Sequence, residues 1–344
     1  MAYEHSAPED TTPVHTLPHV HTQHHHTALN HSADGTAPDP GGPGARREQA
    51  VTDKAVTSFA TAHDERLREV MQALVRHTHA FVREVRLSED EWRQAVAFLT
   101  AVGHTTTATR QEFVLLSDVL GLSMLTVTVN DSAPDAAPVR DGVSESADAT
   151  EATVFGPFFL EDSPGIEPGG DIARGAVGEP AWISGTVSDP GGRPIAGARI
   201  EVWEADSDGM YDVQYDGGRR AARGHLHTDA EGRYRFWGLT PTPYPIPADG
   251  PVGRLLDAAR RSPMRASHLH FMVTASGFRR LVTHIFVAGD PYLGTDSVFG
   301  VKESLVHDFV RHEPGTPTPD GRVIAGTWTS AVFDIVLPAE EPSH

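Results

Sequence analysis

Two histidine pairs have a spacing that suits metal chemistry: His268-Leu269-His270 and His225-Leu226-His227. Residues two apart on a strand point to one face, so either pair can bring two imidazoles to one ion. The same spacing also suits two histidines on a solvated face, and the period alone does not choose between the pairs. Two tyrosines sit where a ligand is usefully held. Tyr211 follows a candidate strand end at Trp203, and Tyr244 lies in the stiff proline-rich stretch 241–247. Rigid loops at strand ends are good places to position ligands. Either tyrosine alone also fits ordinary packing with a hydrogen-bonded hydroxyl. Cysteine is absent, which removes disulfides, thiolate metal sites, iron–sulfur clusters and cysteine nucleophiles. No GxGxxG follows a strand and there is no Walker loop, so nothing supports nucleotide binding.

These residues need elements to hold them. The chain of 344 residues is long enough for two ordinary domains. Residues 1–50 carry eight histidines but few large apolar side chains, and they are expected to form a disordered His-rich tail. Such a tract can bind divalent ions, although nothing fixes the spacing of its imidazoles. Residues 51–130 are expected to be a helical domain. Leu67, Val70, Met71, Leu74, Phe81, Val82 and Val85 recur at helical steps, Ser88 and Glu91 form a capping box, and a further helix is expected from Arg110 to about Val129. Residues 131–152 read as a polar linker. From 153 to 344 short alternating runs separated by turns predict a two-sheet antiparallel β-sandwich, an α+β chain overall. Its strands are expected at 182–187, 198–203, 225–228, 233–236, 268–273, 281–287, 323–325 and 331–336, with 225–236 forming a hairpin.

The charge balance is 28 − 47 = −19, which disfavours a grip on nucleic acid or anionic lipid. No window approaches the roughly 20 apolar residues of a membrane helix, and the start lacks the order of a signal peptide. A cytoplasmic protein with no nucleic-acid partner and no membrane insertion is expected.

From Ala55 onward the chain resembles the intradiol ring-cleavage dioxygenases, the catechol 1,2-dioxygenase superfamily. The resemblance is carried by the runs 110–118, 153–159, 185–211, 244–251 and Arg265–Phe271, in the family's order. It implies one non-haem Fe(III) per chain, held by Tyr211, Tyr244, His268 and His270, and leaves His225 and His227 outside the ligand motif. Phenolates are hard anionic donors suited to ferric iron, and coordination removes their protons. The substrates implied are an aromatic ortho-diol and O2. Tyr244 would take up a substrate proton, and Arg265 would stabilise negative charge developing on the ring. At His284, catechol-cleaving members typically carry glutamine beside the arginine. His284 can also donate one hydrogen bond, but it is expected to titrate near neutrality.

The pocket wall implied is Leu115, Asp118, Val154, Phe155, Gly156, Pro157, Phe158, Ile246, Pro247 and Val298. Asp118 suits a ring with an extra hydroxyl, because a buried carboxylate needs a donor. The motifs are most similar to the hydroxyquinol-cleaving branch, with 3-hydroxy-cis,cis-muconate and its keto form maleylacetate as product. Catechol or a chlorocatechol is the alternative substrate, and a non-catalytic sandwich binding module is the alternative of another class. The family also implies a homodimer through the N-terminal helices, in some members with lipid at that junction.

Overall fold

Helices come first and strands after, as the change of period at the middle of the chain requires. The computed structural model describes residues 42–107, 110–131 and 149–340. Most of the expected tail (1–41) and of the expected linker (132–148) lies outside the described residues. Two units are distinguished, dividing between Leu87 and Ser88. The first holds α1 (Pro43–Ser58) and α2 (Glu65–Val85). Pro43 occupies the first helical turn, where its missing N–H costs nothing, so helix begins inside the segment expected as tail. Asp64 caps α2 by accepting from Leu67 N, 2.9 Å. The apolar stripe of α2 is largely exposed, including Leu67, Val70, Leu74, Phe81 and Val85.

The second unit opens with α3 (Glu89–Thr105), started by the expected capping box. Ser88 Oγ accepts from Glu91 N, and Glu91 Oε2 accepts from Ser88 N. Two further helices, α4 (Glu112–Val119) and α5 (Leu122–Asp131), stand where one was expected. They are bent by 71° because Gly121 N bonds back to Asp118 O, closing α4 with a tight turn. Among the described residues, no single helix is long and apolar enough to cross a membrane. The expected helical domain is thus split. Val102, Leu115, Leu116, Val119 and Met124 pack with Val154, Ile246, Val252, Leu256 and Val298 in one buried cluster.

The strands are β1 (Pro180–Ser188), β2 (Arg199–Trp203), β3 (Arg223–His227), β4 (Arg233–Leu239), β5 (Tyr244–Pro245), β6 (Met264–Arg265), β7 (His268–Thr274), β8 (Leu281–Val287), β9 (Val306–His307), β10 (Val310–His312), β11 (Trp328–Val332) and β12 (Ile335–Val336). A sixth helix, α6 (Pro251–Ala258), lies between β5 and β6. One sheet places β1 between β4 and the pair β11 and β12, with β10 beyond β11. The other runs β3-β2-β7-β8-β9. Ile183, Val187 and Phe236 of the first face Ile200, Val202, Phe271, Val273 and Ile285 of the second in one core.

Three expectations change. The sheets are mixed rather than purely antiparallel, because β1 pairs parallel with β11 and β12, and β8 with β9. The hairpin is absent: β3 pairs β2 and β4 pairs β1, so the 228–232 turn carries the chain from one sheet to the other. Thr228, bonded to Ile195 and Ala198, keeps the end of β3 on its own sheet. Residues 323–325 are not a strand, and Val323 lies exposed.

Candidate metal centre

On β7 the odd residues Leu269, Phe271 and Val273 enter the sandwich core, so the even residues His268 and His270 face the other side. Trp203 of β2 lies opposite His270 and stacks on its ring, with centroids 4.6 Å apart. Two loops cover that face and bring in the tyrosines. Tyr211 precedes a single helical turn (Asp212–Gln214), and its N–H bonds Gln214 Oε1. Asp212 forms a buried ion pair with Arg223 of β3, and Arg223 Nη2 also bonds the Phe158 carbonyl. Tyr244 is held by pairing with Arg265, β5 against β6. Gly209 (φ +75°) lets the first loop cross the second, since a Cβ there would lie 2.5 Å from Tyr244 Cβ.

The four side chains meet at their polar atoms. Tyr244 OH is 3.2 Å from His268 Nε2 and 2.9 Å from Tyr211 OH, which is 2.9 Å from His270 Nε2. Bonds of about 2.0–2.1 Å to one ion place neighbouring ligands about 3 Å apart, so this spacing fits a shared metal. His268 Nδ1 lies 2.6 Å from the Ala266 carbonyl, which leaves its Nε2 lone pair directed at the tyrosines. All four residues are buried. Burial pushes both phenols up, and the neighbouring Tyr244 adds to the rise at Tyr211 while the Arg265 cation opposes it at Tyr244. Burial likewise pushes His268 down to about 3, and His270 well below its ordinary value. The imidazoles are therefore neutral, as ligands must be.

His268, His270 and His284 also form a group of three imidazoles able to hold an ion. His284, however, meets His270 from behind: its Nε2 is 2.7 Å from His270 Nδ1, and its Nδ1 is 2.9 Å from Thr153 Oγ1. Both ring nitrogens are engaged, so the residue has no free N–H for a substrate. Burial, with the nearby His268 and Arg265, also drives its pKa well below the ordinary value, so it does not titrate near neutrality. The expected titration near neutrality is corrected, and the hydrogen bond His284 can donate is taken up within the protein by His270 or Thr153. The pair at His225 and His227 stays apart from this centre, with His225 Nδ1 on the Ser163 carbonyl and His227 exposed.

Arg265 is buried with its Nε 2.8 Å from Asp296 Oδ1. Asp296 is itself fixed by the N–H groups of Ala266 and Gly300. Burial alone would lower the Arg265 pKa, but Asp296 and the two tyrosines outweigh it. Its Nη2 is buried and has no hydrogen-bond partner.

A cleft of about 510 Å³ reaches Tyr244 but not Tyr211. Leu115, Pro157, Phe158, Ile246 and Pro247 line it as expected. Phe158 also stacks on Tyr211, centroids 4.5 Å apart. Gly156 (φ +75°) backs onto His270, since a Cβ there would lie 3.1 Å from its Cε1. Val154 and Val298 are buried in the neighbouring apolar cluster. Phe155 is half-exposed and packs on Phe159 and Trp203 rather than lining the cleft. Asp118 of α4, expected in the pocket wall, is not among the residues lining this cleft and is buried with Oδ1 unpartnered. Burial raises its pKa, and Ser123 and Arg265 pull it down.

Sequence reasoning assigned no role to Asp296, Thr153, Asp212 or Arg223. It also missed the brace beside the cleft, where Arg110 joins Asp249 (2.8 Å) and buried Glu112 accepts from Val252 N at the start of α6 (3.1 Å). Only Asp212, next to Tyr211, had a local signal.

Comparison with known proteins agrees with this geometry. The family model described as dioxygenase matches residues 157–338, and the one described as catechol dioxygenase N terminus matches 64–137. A hydroxyquinol 1,2-dioxygenase of Rhodococcus opacus is 62% identical over 296 residues, covering 86% of this chain and 95% of that protein. The structure of a hydroxyquinol 1,2-dioxygenase from Pseudomonas putida DLL-E4 superposes with TM-score 0.76 at 42% identity, covering 86% and 100% of the two chains. A catechol 1,2-dioxygenase structure from Acinetobacter sp. ADP1 gives 0.71 at 27% identity, covering 85% and 93%. Sequence, fold and site agree, and the chain belongs to the intradiol ring-cleavage dioxygenase family.

Proposed function

We propose that this chain cleaves hydroxyquinol (1,2,4-trihydroxybenzene) with O2 between its adjacent hydroxyl-bearing carbons, giving 3-hydroxy-cis,cis-muconate and so maleylacetate. One Fe(III) per chain is held by Tyr211, Tyr244, His268 and His270. The observation that carries this reading is the run of four buried donors spaced 2.9–3.2 Å apart beside a cleft. Ferric iron held there would supply a Lewis acid to polarise an ortho-diol and draw electron density from its ring.

The remaining work falls to the protein. Tyr244, the tyrosine the cleft reaches, would accept a substrate proton as the diol binds. Tyr211, sealed under Phe158, stays as a fixed ligand. Arg265, held still by Asp296 and with its Nη2 unpartnered, would stabilise negative charge as it develops on the ring. Phe158, Ile246 and Pro247 exclude water and orient the ring. Asp118 accepts from the third hydroxyl of hydroxyquinol, a role supported by its burial and its unpartnered oxygen. The 62% identity to a protein named for hydroxyquinol favours that substrate over catechol.

Iron-loaded protein given hydroxyquinol, catechol and a chlorocatechol under O2 tests this directly. Fastest oxygen uptake with hydroxyquinol, and a ring-opened dicarboxylic acid as product, is the expected result. Faster turnover of catechol or a chlorocatechol would overturn the substrate, and absence of uptake with all three would overturn the activity. The exposed stripe of α2 supports a homodimer through the N-terminal helices. Native mass spectrometry reads both the dimer and any lipid it carries.

A further inference from the structure

The contacts behind and between the four donors form one unbroken line: Thr153, His284, His270, Tyr211, Tyr244, His268 and the Ala266 carbonyl. Consider the line first with every group neutral and no ion between the donors. The carbonyl can only accept, so His268 carries its proton on Nδ1, and its Nε2 must accept from Tyr244. Tyr244 has then used its one proton and accepts from Tyr211. Tyr211 has likewise used its proton and accepts from His270, whose proton therefore sits on Nε2. His270 Nδ1 is a bare lone pair that accepts from His284 Nε2, and His284 Nδ1 accepts from the Thr153 hydroxyl. Only this direction satisfies every contact.

An ion shared by the four donors demands the opposite at one place. His270 must offer its Nε2 lone pair, so its proton belongs on Nδ1, where it points at His284. We propose that Thr153 and His284 are positioning residues that form a reversible relay, letting His270 change from hydrogen-bond donor to metal ligand. As the ion enters, the His284 Nε2 proton passes to His270 Nδ1, His284 Nδ1 takes the Thr153 hydroxyl proton, and Thr153 is reprotonated from outside the line and then accepts from His284, while the His270 Nε2 proton leaves. Each imidazole loses one N–H and gains the other, so both stay neutral with one proton each. The net release to buffer is two protons, matching the two phenolic protons that Tyr211 and Tyr244 give up.

The residue types suit this task. Imidazole can carry its proton on either nitrogen, and a hydroxyl both donates and accepts. His284 is fully buried and Thr153 nearly so, so a missing partner there is costly. A side chain at 284 with only a donor would serve one state and oppose the other. His268 needs no such relay, because the Ala266 carbonyl holds it in the ligating tautomer throughout.

This inference rests on the ligand set proposed above, and one experiment separates the two. The full chain, labelled with 15N-histidine, is stripped of metal and then loaded with Ga(III), a diamagnetic hard trivalent ion. Long-range proton–nitrogen spectra report which nitrogen of each ring is protonated, with His284→Gln and Thr153→Val used for assignment. The expected result is His284 protonated on Nε2 without gallium and on Nδ1 with it, while His268 keeps its Nδ1 proton. If gallium perturbs His268 Nε2 and His270 Nε2 but the His284 proton stays put, the relay is wrong and the ligand set stands. If gallium leaves His268 and His270 unchanged, both fall. Metal retention gives an independent reading. His284→Leu should lose iron to a chelator about 10- to 100-fold more readily, as for other hydrogen-bond partners of ligating histidines. His284→Gln, whose amide oxygen can accept from His270, should restore most of the retention. A His284→Leu protein that holds iron as tightly as wild type would overturn the relay.

Discussion

Arg265 offers a test in which stability and turnover separate. Its Nε bonds Asp296 at 2.8 Å, and both side chains are almost completely buried. Removing one member of a buried ion pair costs about 3–5 kcal/mol, mainly through the charge left behind. Asp296 keeps the N–H groups of Ala266 and Gly300, so Arg265→Ala belongs near the lower end, about 3 kcal/mol. In a unit of this size that is a fall in Tm of roughly 6–12 °C. Arg265→Lys keeps a cation beside Asp296 and should lose much less Tm, but a lysine ammonium cannot contact Asp296 and reach the ring at once. Both variants should therefore lose about 10²–10³ in turnover, the usual cost of one preorganised charge-stabilising donor. Oxygen uptake normalised to bound iron, with a thermal melt on the same preparations, gives both quantities. Near-normal turnover in iron-replete Arg265→Lys, or losses that follow Tm across the two variants, would refute the role given to Nη2.

Asp118→Ala should narrow the hydroxyquinol-to-catechol ratio of kcat/KM by about tenfold, the worth of a charged group's partner at roughly 1–3 kcal/mol. A lowered Tm with an unchanged ratio would instead make Asp118 a brace of α4. Glu204 is buried with Oε1 on Leu239 N and Oε2 unpartnered, and burial holds its pKa well above the ordinary value. The unfolded chain releases this proton first, so wild-type stability falls as pH rises above about 4.5, by up to about 1.4 kcal/mol per unit. Glu204→Gln has no such proton, and its Tm advantage should grow between pH 5 and pH 8. An advantage independent of pH would show that Glu204 is already ionised.

What was legible in the sequence was whatever local spacing encodes. His268 and His270 on one strand face, the cap at Ser88 and the strands β7 and β8 follow from periods of two and of three to four, and those elements formed as expected. The four ligand positions came from family motifs, and the geometry brings these residues together. What was not legible depends on partners distant in the chain. The 228–232 turn has hairpin chemistry, yet β3 and β4 lie in different sheets because each finds a better partner elsewhere. Asp296 looks like an ordinary loop acid until the fold sets it against Arg265. The sequence could not say whether His284 faces substrate or sits behind the site, and only its pairing across from His270 on β7 shows that it contacts the far side of the His270 ring.

The visible absorption of the iron-loaded chain tests the proposed centre most directly, because tyrosinate bound to Fe(III) gives a red-brown charge-transfer band. Wild-type protein should bind about one iron per chain and show the band. A chain lacking residues 1–41, which removes the His-rich stretch but leaves α1 whole, should keep both. Tyr211→Phe should lose much of the band. An unchanged band in Tyr211→Phe, or iron and colour that leave with residues 1–41, would contradict a centre built from Tyr211, Tyr244, His268 and His270.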